Sequence, residues 1–156
     1  PTETQSTTHL HIAGHPRMDV EPLRSRAMDL GIESSVRWDL RFVPDSEVSA
    51  LFDDADIVVF PYDDIDQSGA LLTALQYETP IVATNIGGFA EVLTHGEHGL
   101  LVSLNDATEL ADAMHRILAN PELSARMAKN IGDLADAIPS WVEIANRTQD
   151  VYRTIT

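Results

Sequence analysis

A chain of 156 residues, 44% of them hydrophobic, is long enough for one domain with a buried core. No apolar run approaches the ~18 residues that a membrane span needs, so a soluble globular protein is expected. The net charge of −15 argues against nucleic acid or an anionic lipid surface as the partner of this chain, because both require clustered Lys and Arg. The lack of cysteine excludes disulfides and thiolate metal sites and fits a reducing compartment, so a cytoplasmic location is the default expectation.

The first part of the chain predicts two strand-helix pairs. Residues 1–8 are polar without a signal-peptide pattern, so we expect a disordered lead-in before a domain at residues 9–156. An apolar run stopped by glycine and proline predicts a strand at 10–14. Apolar residues at helical spacing then predict a helix at 19–30, and alternating apolar residues predict a strand at 36–40. Helical spacing resumes in a second predicted helix at 46–52.

The remainder continues the same alternation. Residues 56–61 form a continuous β-branched run, which is typical of a strand covered on both faces in a parallel sheet. Ser140 and Glu143 have the spacing of a capping box at the start of the last helix. The further predicted elements are helix 68–77, strand 80–83, a turn and helix from Gly87–Gly88, strand 99–102, and helices 106–118, 121–135 and 140–152.

This order of elements predicts an α/β fold, a Rossmann-like open parallel sheet with helices on both faces. Sheets of this type bind ligands beyond the carboxyl ends of their strands. The loops that follow Ala13, Asp39, Phe60 and Ala83 are therefore the places where a site is expected.

One of these loops carries a candidate anion site. The chain lacks both G-x-G-x-x-G and G-x-x-x-x-G-K-[ST], but Ser68–Gly69–Ala70 opens a helix directly after a strand-end loop. Free amides and the helix dipole favour a phosphate there, and Gly69 would let it approach the main chain. The alternative is that Ser68 and Gly69 are only a helix cap.

Acidic residues and a second glycine pair lie near this segment. Asp63, Asp64 and Asp66 would hold sugar hydroxyls, bind a cation or simply be solvated. Gly87–Gly88 begins a second flexible loop at the same sheet edge, and Glu91 lies just inside the following helix. By itself this pair would be only a turn.

Two other classes of site find little support. His9, His11 and His15 have no carboxylate or thiolate at a ligand spacing, so they are read as ordinary strand histidines and no metal site is predicted. No G-x-S-x-G elbow or defensible Ser-His-Asp order is present, which disfavours a hydrolase.

Taken together, the segments resemble a known family. Residues 55–62, 67–75 and 79–92, followed by 96–102 and 106–118, are similar in order and spacing to the carboxyl-terminal domain of family 4 retaining glycosyltransferases of GT-B architecture, the glycosyl transferases group 1 domain. The likeness covers roughly residues 10–152. It implies the C-terminal half of a GT-B fold.

The resemblance also implies a function. This domain would bind a nucleoside-diphosphate sugar as substrate, with no cofactor or metal, while a separate acceptor domain holds the second substrate. Ser68, Gly69 and Ala70 would hold the diphosphate. Backbone at residues 40–43 corresponds to the nucleobase region. The other residues assigned to the donor are Arg41, Thr73, Gly87, Gly88 and Glu91.

The chain departs from the family at two acidic positions. Many members have two glutamates there, but this sequence has Ile65 and Thr73. Thr73 could still bond one ribose hydroxyl, and Asp66 is the nearest substitute for the first acid and so the candidate catalytic residue. The domain's first strand and the acceptor domain are expected to be missing, so this part alone should be inactive. Membrane association of the full-length protein is left open.

Two alternatives are retained. The altered acidic positions suggest a non-catalytic nucleotide-sugar-binding or interaction domain, which would turn over no donor. A sugar-nucleotide epimerase of similar architecture would turn over its donor without an acceptor.

Overall fold

The computed structural model describes residues 8–155, apart from the side chains of Trp141 and Ile155. The chain divides into two compact units, the first ending at Leu51 and the second beginning at Phe52. The predicted lead-in at residues 1–8 lies outside the described part except for Thr8.

The first unit contains a pair of parallel strands, β1 (Leu10–Ala13) and β2 (Val36–Asp39). Helix α1 (Glu21–Asp29) connects them, and α2 (Asp45–Asp53) follows β2 and crosses into the second unit. The first helix begins two residues later than predicted, because the Asp19 carboxylate stays outside it and accepts a hydrogen bond from the Glu21 amide at 3.0 Å.

The second unit contains a three-stranded parallel sheet in the order β3-β4-β5. The helices that follow its strands agree closely with the predicted ones. The capping box is also confirmed, since Glu143 accepts from the Ser140 amide at 2.7 Å and donates its own amide to the Ser140 hydroxyl at 3.3 Å. The elements are β3 (Val58–Phe60), α3 (Gly69–Ala74) with a 3-10 turn (Leu75–Tyr77), β4 (Ile81–Thr84), α4 (Gly87–Val92), β5 (Gly99–Val102), α5 (Ala107–Leu118), α6 (Pro121–Ala137) and α7 (Trp141–Ile155).

Apolar side chains cover both faces of this sheet. Successive strand residues point to opposite faces, so Ile81 and Ala83 enter one buried cluster while Val82 enters the other. The first cluster also contains Leu71 from α3 and Phe89 from α4, and the second contains residues from α5 and α6. Burial on both faces explains the continuous apolar strands of the sequence.

The predicted α/β class, with parallel strands and covering helices, is confirmed. The strands form two separate hydrogen-bonded groups, β1-β2 and β3-β4-β5, where the sequence indicated one open sheet. Within residues 8–155, no helix has both the length and the hydropathy that a membrane span requires.

Candidate functional site

The start of α3 is anchored by Ser68. Its side chain is 8% exposed, and its hydroxyl accepts a hydrogen bond from the Leu71 amide at 3.1 Å. The Leu72 amide donates to the Ser68 carbonyl at 3.2 Å. The predicted cap is therefore real, and it ties the end of the preceding loop to the first turn of the helix.

Gly69 and Ala70 form the exposed tip of this helix start. The first amides of a helix have no partner within the helix, so they face outward with the positive end of the peptide dipoles. A Cβ placed on Gly69 would meet no atom of the described residues within 4 Å. The space beside this backbone is open, as close approach of a phosphate requires.

Thr73 lies one turn further along α3 and is half-buried. Its hydroxyl donates to the Gly69 carbonyl at 3.0 Å, so its proton is used within the helix. The hydroxyl oxygen can still accept a hydrogen bond from a ligand.

The loop between β3 and α3 separates its residues into two environments. Ile65 packs against the first buried cluster, whereas Asp63, Asp64 and Asp66 are exposed. A glutamate at position 65 would place a charge beside apolar side chains, which is costly without a partner. The exposed aspartates are therefore the only carboxylates that this loop offers to a ligand.

Gly87 and Gly88, at the start of α4, lie directly against this same loop. A Cβ on Gly87 would be 1.8 Å from the Ile65 carbonyl oxygen, and one on Gly88 would be 2.7 Å from that of Asp66. Gly88 is buried, while Glu91 is exposed on the helix. The structure thus brings the Gly87–Gly88 loop together with the loop of residues 61–68, the aspartate loop, as their position at one sheet edge predicts.

Arg41 lies in the first unit, after β2. Its guanidinium bonds with the Glu47 carboxylate and, at 2.8 Å, with that of Asp39. These bonds, that to Glu47 foremost, raise the pKa of Arg41 above its ordinary value. Arg41 is therefore paired with acids of its own unit.

Several supporting residues were not anticipated from the sequence. The Thr84 hydroxyl donates to the Phe60 carbonyl at 3.2 Å and ties together the carboxyl ends of β4 and β3. Tyr62 lies edge-on to Phe60 and Phe89, with ring centroids 5.9 and 5.4 Å away. The signal available was the aromatic spacing at Phe60 and Tyr62, which does not show that a third ring from α4 completes the group.

Two depressions mark opposite edges of the sheet. One of about 280 Å³ lies at the carboxyl ends of the strands, beside Tyr62, Asp63 and Thr84. The other, about 590 Å³, lies between α6 and the turn before β5, near Arg126 and Asn130. The smaller depression adjoins the aspartate loop and so lies at the edge where such sheets bind ligands.

Curated proteins of similar sequence are glycosyltransferases. The chain is 32% identical over 133 residues to D-inositol 3-phosphate glycosyltransferase of Corynebacterium urealyticum, covering 85% of this chain and 31% of that protein. It is 33% identical over 142 residues to phosphatidyl-myo-inositol mannosyltransferase of Mycobacterium leprae, covering 89% of this chain and 36% of that protein. The chain therefore spans about a third of the length of these relatives.

Solved structures share the fold. Anabaena HepE, crystallised in complex with UDP, superposes with a TM-score of 0.85 at 21% identity, over 94% of this chain and 41% of that one. Sucrose-phosphate synthase from Thermosynechococcus elongatus superposes with a TM-score of 0.79 at 25% identity, over 94% and 37% of the two chains. Residues 2–120 match the model of the family described as glycosyl transferases group 1, and the chain belongs to that family.

Proposed function

We propose that this chain is the donor-binding domain of a retaining glycosyltransferase and that it holds the diphosphate of a nucleotide sugar at the start of α3. The open backbone of Gly69 at a capped helix start carries the proposal. Fixed amides aimed at a departing diphosphate stabilise the charge that develops there during transfer. The family membership and the UDP complex of a protein with the same fold support it.

The other residues have distinct roles in this proposal. The Thr73 oxygen accepts a hydrogen bond from the ribose, and Asp66, being exposed, contacts hydroxyls of the sugar. Glu91 and Arg41 are assigned to the donor by family position. The acceptor binds to a part of the protein outside this chain.

The first test is a calorimetric titration of the intact protein with UDP, GDP and ADP. One of the three should bind, because the diphosphate is common to all while the base selects among them. Folded protein that binds none of them would refute the donor site.

The role of Asp66 can be separated from simple charge effects. UDP and UDP-glucose are titrated against Asp66→Asn and against Asp64→Asn, an equally exposed neighbour. Both variants remove one negative charge near the diphosphate, so UDP affinity should change alike. Only Asp66→Asn should weaken UDP-glucose relative to UDP. Equal ratios in the two variants would exclude Asp66 as a sugar contact.

A second function is a non-catalytic nucleotide-sugar-binding domain. It is favoured by the apolar surroundings of Ile65 and by the Thr73 hydroxyl, which is bonded within its own helix, since neither position supplies a carboxylate. Turnover of a bound donor by the intact protein would exclude this function. Turnover without any acceptor would instead indicate an epimerase.

A further inference from the structure

The aspartate loop, residues 61–68, rests on the first turn of α4. Its main chain passes so close to Gly87 and Gly88 that a methyl group on either would collide with backbone. The approach at Gly87 is the tighter, since a Cβ added there would lie 1.8 Å from the Ile65 carbonyl oxygen. Gly87 also has a φ of +42°, which disfavours other residues. A Cβ added at Gly88 would lie 2.7 Å from the Asp66 carbonyl oxygen and 3.3 Å from the Gln67 Cα.

Side chains fix the same loop at three points along its length. Near the beginning of the loop, the Tyr62 ring packs edge-on against Phe89 of α4 with centroids 5.4 Å apart. In its middle, Ile65 packs against the buried cluster that contains Phe89. At its end, Ser68 is buried and caps α3. The loop is thus supported from its first residues to the helix start that it feeds.

We infer that Gly87 and Gly88 are positioning residues. Because they have no side chain, the aspartate loop can pack directly against α4, and this packing fixes the position of Ser68 and of the open amides of Gly69 and Ala70. The inference rests on the proposed donor site, but it gives the two glycines a role other than donor contact. Gly88 is buried, and the space next to it is occupied by the chain itself. Even the methyl group of alanine at position 88 would push the aspartate loop away from α4 and displace the start of α3 with it.

The test substitutes one glycine at each of two backbone contacts. Gly88→Ala pushes on the aspartate loop, while the control Gly99→Ala pushes on the Ile81 oxygen, 2.1 Å from its Cβ, at the amino ends of β5 and β4. Gly87→Ala is a harsher version of the first change. If it does not fold, Gly88→Ala carries the test.

Two measurements on the intact protein are expected to agree. In unliganded Gly88→Ala, hydrogen exchange should accelerate at the amides of Leu71 and Leu72, which are bonded to Ser68. Its dissociation constant for UDP should rise roughly tenfold, because a small displacement of positioned groups is enough to lose their contacts. Gly99→Ala should lose stability while both of these properties stay at the wild-type level.

The outcomes separate this inference from the donor site. Unchanged exchange at Leu71 and Leu72 in folded Gly88→Ala overturns the positioning role, even if UDP binds more weakly, since weaker binding alone indicates direct contact. Wild-type protein that binds neither UDP, GDP nor ADP refutes the donor site. The exchange measurement would still decide whether Gly88 positions the loop.

Discussion

Two helix starts at the same edge of the sheet are similar in sequence and opposite in structure. The start of α3 at Ser68–Gly69 and that of α4 at Gly87–Gly88 both follow a parallel strand and a loop. Beside Gly69 the space is open for 4 Å, whereas beside Gly87 and Gly88 it is filled by the backbone of residues 65–67. A glycine at a helix start can therefore admit either a ligand or another part of its own chain.

The manner of capping differs as well. The α3 start has a serine side chain that accepts an amide hydrogen bond, while the α4 start has no side-chain cap and begins with a glycine at positive φ. The first arrangement needs only neighbours in sequence. The second depends on a segment about 20 residues earlier in the chain.

The largest effect is expected from truncating Phe89, the buried ring that follows Gly87 and Gly88 in α4. Phe89 is 0% exposed and contacts the rings of Phe60 and Tyr62, so Phe89→Ala should cost about 3–5 kcal/mol of unfolding free energy. Urea denaturation measures it, with Phe42→Ala, at a ring that is 75% exposed, as the control. Equal losses in the two variants would contradict the packing described for Phe89.

Filling the open space beside Gly69 should affect UDP binding more than the stability of the fold. Gly69→Val places two methyl groups where a phosphate would approach, so the dissociation constant for UDP should rise about tenfold, roughly 1.4 kcal/mol. Ala111→Val, at an exposed position of α5, adds similar bulk elsewhere and should leave UDP binding unchanged. An unchanged dissociation constant in Gly69→Val would refute the assignment of this backbone to the diphosphate.

Loss of the serine cap should be smaller still. Ser68→Ala removes the bond to the Leu71 amide and should cost ~1 kcal/mol of stability. Asn120→Ala removes the equivalent bond to Leu123 at the start of α6, 3.0 Å long, and provides a matched control. Only the Ser68 variant should also weaken UDP binding; a parallel weakening in Asn120→Ala would show that the effect is not local.

The smallest effect concerns α7, whose capping box needs neither a glycine nor a distant loop. Hydrogen bonds from the Ser140 amide and hydroxyl lower the pKa of Glu143 below its usual 4.5. Because the pKa is lower in the folded state, this stabilisation is complete above the usual value and is lost as the pH falls through the lowered one.

Hydrogen exchange across α7, followed from about pH 5 to about pH 3, measures this loss. The exchange must be corrected for its intrinsic dependence on pH. Wild-type protein should lose protection of the first turn over this range, whereas Glu143→Gln should show no such titration. A pH response that persists in the glutamine variant would assign it to another group.

Most of the fold could be predicted because its signals are local. The apolar run of β3, the serine cap of α3 and the capping box of α7 each depend on residues within a few positions of one another, and each appears where expected. Helix boundaries differ by one or two residues, as at α1, where the Asp19 carboxylate bonds the Glu21 amide from outside the helix and Pro22 lies in the first turn.

The candidate site was predictable only in part. The Ser68 cap and the exposed helix start at Gly69 depend on neighbouring residues, which is why a candidate anion site could be proposed there before the structure. The contacts of Gly87 and Gly88 with residues 65–67 and the bond from Thr84 to Phe60 join residues more than 15 positions apart, and Ile65 packs against a buried cluster that includes the distant Phe89. No local sequence pattern specifies which distant segment of the chain will pack against a glycine.

By itself, the sequence determined the order of strands and helices, the parallel sheet, the capped helix start and the family resemblance. Hydrophobic period, cap residues and motif spacing are properties of neighbouring positions, so they can be read without a fold. Only the tertiary structure decided that one glycine start is open and the other occupied. Both have the same backbone freedom, and what differs is the chain that packs against them.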